Sequence, residues 1–254
     1  MNGVDVYGVA GIDLAAESFG LDVDAASVIA VVTGVLALAI VVVNRPWWFA
    51  RHVVTIVHEA GHALCALLAG RRLQGITLHS DTSGVTVSRG KPTGPGMVLT
   101  TLAGYPAPAV LGLVFAWLVS AEKLSAVLGI AAVLLLGVLV MVRNAYGIFS
   151  VVLSALVLGG IALFAGPGVQ AAFVYLITWF LLFGGVRPLF ELQAKRRRGA
   201  ARDSDLDQLA RLTSLPALLW LFVLGVLAAT CVIVGGMLLI DPAVTPELFA
   251  SEET

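Results

Sequence analysis

The chain has 254 residues, 59% of them hydrophobic and 12% charged, with a mean hydropathy of +0.99. Soluble domains carry about 25% charged residues, so this composition excludes a water-soluble enzyme and indicates a multi-pass membrane protein. The net charge of −1 hides a segregation, acidic toward both ends and basic in two internal loops, that leaves no footprint for nucleic acid.

Residues 1–24 hold Asp5, Asp13, Glu17, Asp22 and Asp24 and no Lys or Arg. A secretory leader needs a basic start, so this stretch reads as a retained polar acidic tail, with a short amphipathic helix over residues 12–19. Apolar runs follow at 25–43, 51–70, 97–119, 124–142, 146–165, 169–186 and 215–240. Each is near the ~20 residues that cross a bilayer as a helix. The expected fold is therefore all-α and polytopic: about seven transmembrane helices in an embedded domain over 25–240, then an acidic tail over 241–254. Of the fifteen Lys and Arg, all but Arg45, Arg51 and Lys123 fall on one side of that arrangement. Positive charge marks the cytoplasmic side, which places the amino terminus in the cytoplasm of a cell with a bacterial-type plasma membrane. The Lys195-Arg196-Arg197-Arg198 run serves this topology and contacts anionic lipid.

The second run contains Thr55-Ile-Val-His58-Glu59-Ala-Gly-His62. On a helix, His58 and His62 stand one above the other and bring two imidazole nitrogens to one zinc ion, with Glu59 beside them as a base for a bound water. Ionisable groups inside hydrocarbon are costly unless they pair, bind metal or face a wet cavity, so the motif predicts a zinc site within the membrane. Cys65 follows one turn later and reads as a small buried hydrophobe; neither it nor Cys231 has a CxxC spacing.

After this run the texture changes. Gly75-Ile-Thr-Leu-His79 and Val85-Thr-Val-Ser88 alternate apolar with polar around Ser80-Asp-Thr-Ser-Gly84, which predicts a β-hairpin just after the metal-binding helix. Such a hairpin either offers an edge strand to an extended peptide or simply connects two spans. His79 and Asp81 fall in its turn, where solvation is the expected state. The third run opens with Gly104, Pro106, Pro108 and Gly112, which predicts a distorted helix packed beside the metal helix. Asn144 marks the polar break before the fifth run, as an interfacial cap, a group that hydrogen-bonds across helices, or one that reaches a substrate backbone.

Between 202 and 216, Ser204 followed by Asp207 has the form of a capping box, so a short helix starts there and stops before Pro216. A catalytic zinc commonly takes three protein ligands, and the motif supplies two. Most of the sixteen acids lie in the tails, leaving Asp203, Asp205, Asp207, Glu191 and Asp81. Asp205 is taken as the candidate third ligand, with helix capping alone as the competing reading and Asp207 or Glu191 as substitutes.

His58-Glu-Ala-Gly-His62 on an early span, the hairpin after it, Leu102-Ala-Gly-Tyr-Pro106 and Ser204-Asp-Leu-Asp207 together resemble the site-2 protease family, nearest its compact bacterial and plant branch, over about residues 50–225. The resemblance implies an intramembrane endopeptidase: a zinc ion on His58, His62 and an Asp, Glu59 as general base, and a transmembrane segment of another membrane protein as substrate. One departure is clear. The family's usual third ligand sits in an Asn-x-x-Pro...Asp-Gly motif, which this chain lacks; Asn144-Ala-Tyr-Gly147 echoes only its start. There is also no inserted soluble peptide-binding domain. A noncatalytic membrane scaffold and a metal-binding transporter are the alternative functions.

Overall fold

The computed structural model describes residues 25–199 and 204–240. The tails over 1–24 and 241–254, with the amphipathic helix expected at 12–19, lie outside them, as does Asp203. Among the described residues there are nine α-helices and one two-stranded sheet. In chain order the elements are α1 (Ala25–Val42), α2 (Asn44–Leu68), β1 (Arg72–Leu78), β2 (Gly84–Arg89), α3 (Pro95–Leu102), α4 (Ala107–Ser120), α5 (Leu124–Met141), α6 (Ala145–Phe164), α7 (Pro167–Arg197), α8 (Asp205–Thr213) and α9 (Ala217–Ile240).

The apolar runs do become helices, but among the described residues fewer than seven qualify as candidate spans. Among the described residues four helices, α5, α6, α7 and α9, are long and apolar enough to cross a membrane, and the number rises to six if each of two bent pairs counts as one span. α1 and α2 meet at 100°, where Val43 leaves helical geometry, and α3 and α4 meet at 70°. The second bend falls on Gly104-Tyr105-Pro106, where Pro106 lacks an N–H and sterically opposes a continuous helix. Another difference concerns α7. The sequence places a loop from 187 onward, yet the helix continues past Pro188 to Arg197. Its polar extension is held from inside, since Arg187 and Glu191 bond each other and Glu191 accepts from Trp47 of α2.

The bundle centre is α1, α4, α7 and α9, packed around Phe115, Leu181 and Leu182. Small residues set the spacing: a Cβ at Gly112 would lie 2.9 Å from the Leu182 backbone nitrogen, and one at Gly185 2.8 Å from the Ala109 nitrogen. Such contacts let helix backbones approach where no hydrophobic force acts between helices in lipid. Trp179 closes the α1 side, donating from Nε1 to the Ala30 carbonyl at 3.0 Å.

α2 ends where Gly70 adopts φ +68°. Gly70 N bonds Leu67 O at 3.0 Å and Arg71 N bonds Ala66 O at 2.9 Å, the paired closure that satisfies the last carbonyls of a helix and turns the chain back. The hairpin that follows is antiparallel, with Ile76 opposite Thr86 and Leu78 opposite Gly84. Its turn is internally satisfied: Asp81 accepts from Ser83 N at 3.0 Å and from Ser83 Oγ at 2.7 Å, and His79 N donates to Ser83 O at 2.8 Å. The Ser83 hydrogen bonds hold the Asp81 carboxyl below its usual range. Asp81 and His79 are thereby turn residues.

The two edges of the sheet differ. Beyond β1, Arg143 N donates to Ile76 O at 2.9 Å, and the Asn144 side chain donates to Leu78 O at 2.7 Å while accepting from Leu78 N at 3.2 Å. Asn144 thus imitates a neighbouring strand and plugs that edge. β2 has no strand beyond it among the described residues. Asn144→Ala is expected to leave the Leu78 donor and acceptor unpaired, costing about 1–3 kcal/mol. Thermal unfolding in detergent and faster proteolysis within residues 79–84 measure it; unchanged values would show the plug is not holding the hairpin.

Candidate metal centre

The helical spacing of His58 and His62 sets their imidazoles on one face of α2, with Nε2 atoms 3.1 Å apart. Asp205, the first residue of α8, places Oδ2 3.2 Å from each of them. Among the described residues this is the group of three His, Cys, Asp or Glu side chains able to share one ion. Donor atoms around a tetrahedral zinc with bonds near ~2.0–2.1 Å sit roughly 3.3 Å apart, so the triangle has the right size and the N, N, O donor set is one zinc accepts. His62 Nδ1 lies 2.7 Å from the Thr100 carbonyl, which fixes Nδ1 as the protonated nitrogen and leaves the Nε2 lone pair facing its two neighbours.

A glycine makes room for this cluster. A Cβ at Gly104 would lie 2.3 Å from His62 Nε2 and 2.6 Å from His58 Nε2, so the α3–α4 bend passes its bare backbone directly over both ring nitrogens. Tyr105, next in the chain, packs edge-on against His58 with ring centroids 4.9 Å apart.

α8 brings Asp205 in because its other acid is occupied. Ser204 Oγ accepts from Asp207 N while Asp207 Oδ2 accepts from Ser204 N at 3.3 Å, the reciprocal cap that the sequence predicts. Asp207 also pairs with Arg196 at the end of α7. Leu206 and Leu209 are fully buried and anchor the short helix to the bundle. Burial opposes ionisation of Asp207, yet Ser204 and Arg196 hold its carboxyl below the usual range. Burial likewise opposes ionisation of Asp205, and hydrogen bonds from the two imidazoles outweigh it.

Glu59 is buried and stands outside the triangle. Its Oε2 accepts from Thr86 Oγ1 of β2 at 2.6 Å. A Cβ at Gly84 would lie 2.6 Å from Oε1, so the start of β2 is thinned to fit the carboxylate. Thr55 of α2 adds a bond from Oγ1 to Thr82 O at 2.9 Å. The hairpin therefore docks on the motif through Thr55, Glu59 and Thr86.

These groups border a cavity of about 570 Å³ lined by His58, Glu59, His62, Asp205 and Tyr105, with residues 83–88 along one wall. A second cavity of about 540 Å³, on the other side of α2 around Ile56, Phe115 and Phe149, has His52 as its titratable side chain besides Tyr146. Those two bond each other, Tyr146 OH to His52 Nε2 at 2.7 Å. Glu191, the substitute ligand considered from sequence, is taken up by Trp47, Arg51 and Arg187.

Sequence reasoning did not single out Thr86, Thr100 or Gly84. Their partners lie 25 to 38 residues away, beyond any local spacing. Gly104→Ala is expected to push a methyl group into both imidazoles and abolish tight metal binding while helix content stays constant. Metal analysis of the purified variant beside its circular dichroism spectrum checks this; full occupancy would refute the crowding argument.

A family model described as Peptidase M50B-like matches residues 31–235. No curated protein and no solved structure matches the chain. The match covers the His58, His62 and Asp205 triangle, Glu59, the hairpin, α4 and α7 whole, and the greater part of α1 and α9. The chain belongs to the Peptidase M50B-like family, and so to the membrane metallopeptidases of site-2 protease type.

Proposed function

We propose that this protein is a zinc-dependent intramembrane endopeptidase that cuts a transmembrane segment of another membrane protein. The observation that carries the reading is the His58, His62 and Asp205 triangle beside a buried carboxylate that belongs to a different hydrogen-bond system. His58, His62 and Asp205 would hold the ion, and zinc bound there supplies Lewis-acid polarisation and acidifies water toward a pKa of about 7. Glu59 acts as general base for the attacking water and then returns that proton to the leaving amine. Thr86 keeps the Glu59 carboxylate in place, and Thr100 fixes the His62 tautomer.

The substrate is a peptide in extended form. A helical backbone hides its amide bonds, and the free edge of β2 offers main-chain partners along the wall of the cavity that holds Glu59. The bilayer is the second partner, since the apolar helices present Leu, Val and Phe outward, as Leu163 and Phe164 do.

The basic residues of the hairpin and of the α7–α8 connection support a cytoplasmic position for that side of the protein. In intact cells, a single cysteine at Ser83 should resist an impermeant thiol reagent and one at Glu122 should react; the reverse pattern would invert the orientation.

Glu59→Gln should retain zinc and lose cleavage of co-reconstituted transmembrane substrates by on the order of 10²–10⁴-fold. Asp205→Ala should lower zinc affinity steeply, whereas Asp207→Ala should mainly loosen α8. Thr86→Val should slow turnover about tenfold with metal content unchanged. A scaffold or a transporter would leave every such substrate intact with the wild-type protein, and full turnover by Glu59→Gln would reject the mechanism.

A further inference from the structure

α2 carries one more charged group into the metal cavity. Arg51 lies seven residues before His58, about 10 Å along the axis at 1.5 Å per residue, on the same side of the helix, and it lines the cavity. Its ion partner is Glu191 of α7, at 3.4 Å. That carboxylate is already heavily used: Glu191 Oε1 accepts from Trp47 Nε1 at 2.7 Å and from Arg187 Nε at 3.0 Å.

The two arginines around Glu191 are not equivalent. Arg187 spends its other donors on the Val41 carbonyl and on Asn44 Oδ1 at 2.6 Å, and stacks over Trp47 at 4.9 Å from the ring centroid. Among the described residues, Arg51 has the single 3.4 Å ion pair and a more distant approach to Trp47, at 5.8 Å. Two guanidiniums thus share one carboxylate, and the one with uncommitted donors faces the cavity. The cavity's own carboxylates, Glu59 and Asp205, would be balanced by a divalent ion. What remains is one unmatched positive charge with a planar set of donors, and the group that fits it is a carboxylate.

We propose that Arg51 selects substrates that present a carboxylate about three residues from the scissile bond, the distance at which an extended chain rising ~3.3 Å per residue spans the gap between His58 and Arg51. This rests on the endopeptidase reading. Two sources have the same chemistry, an Asp or Glu side chain and the free carboxyl end of a shortened substrate.

The test uses the zinc-loaded full chain in detergent and a library of apolar peptides in which Glu, Gln or Lys is walked through each position, with cuts mapped by mass spectrometry. Wild-type protein should favour Glu over Gln about fivefold at one position near three residues from the cut. Arg51→Gln should erase that preference while still cutting the Gln members, and Arg51→Glu should transfer it to Lys. A second set, ending three residues beyond the cut as free acids or amides, identifies the source: preference for the free acid assigns the carboxylate to the chain end, and equal cutting assigns it to the side chain. A Glu preference that survives in Arg51→Gln, or no preference for either carboxylate in the wild type, overturns the proposal. If the wild type cuts nothing, the endopeptidase reading fails, and retention of the same peptides on immobilised protein isolates Arg51. Retention of Glu members that Arg51→Gln loses then supports carboxylate recognition by Arg51, and equal retention refutes it.

Discussion

Two imidazole nitrogens and a carboxylate oxygen, mutually 3.1–3.2 Å apart, make an arrangement that a low-dielectric interior tolerates only with positive charge among them, whether protons or a metal ion. Much of the architecture serves that requirement. The reciprocal cap of α8 commits Asp207 so that Asp205 points inward, Gly104 removes the side chain that would fill the space, and Thr100 orients one ring. The buried leucines of α8 tie the acidic residue to the same bundle that carries the histidines, so the separation is set by packing rather than by a loose loop.

The buried carboxylate beside the triangle has a different support. Glu59 belongs to α2, but its oxygens are occupied and shaped by the hairpin, through Thr86 and the absent side chain of Gly84. The His58, His62 and Asp205 triangle and the Glu59 carboxylate are therefore held by separate parts of the fold, α8 and the α3–α4 bend for the former, the sheet for the latter. The position of the hairpin relative to α2 becomes as important as the motif itself. Asn144 at one edge and Thr55 at the turn fix that position.

Legibility in the sequence follows the range of the interactions involved. His58, Glu59 and His62 are readable because a helix converts a four-residue spacing into adjacency, and the hairpin is readable from its period-two pattern and turn residues. Asp205 is legible only through a short supply of acids and a resemblance, since it lies 143 positions from His62 and 147 from His58. Thr86, Gly84 and Thr100 carry no local sign of their contacts. The number of spans is less legible because hydropathy is blind to direction: residues 25–68 hold two apolar runs, and a 100° bend decides how they cross. The basic stretch after residue 186 looked like a loop because charge was counted without the partners that keep α7 helical, Trp47 among them.

Asn144 has a consequence of another kind. A two-stranded sheet normally has two sticky sides, and chains that join by one can pass the other on to a third molecule, which is how ordered aggregates grow. Here one side is occupied by an amide side chain that no incoming backbone can extend. A guest strand on β2 would leave only its own far side exposed, with no second docking edge on the protein itself. Among the described residues that one-sidedness leaves β2 as the edge where a further strand can add, and it gives neighbouring copies no pair of open edges through which to polymerise their hairpins.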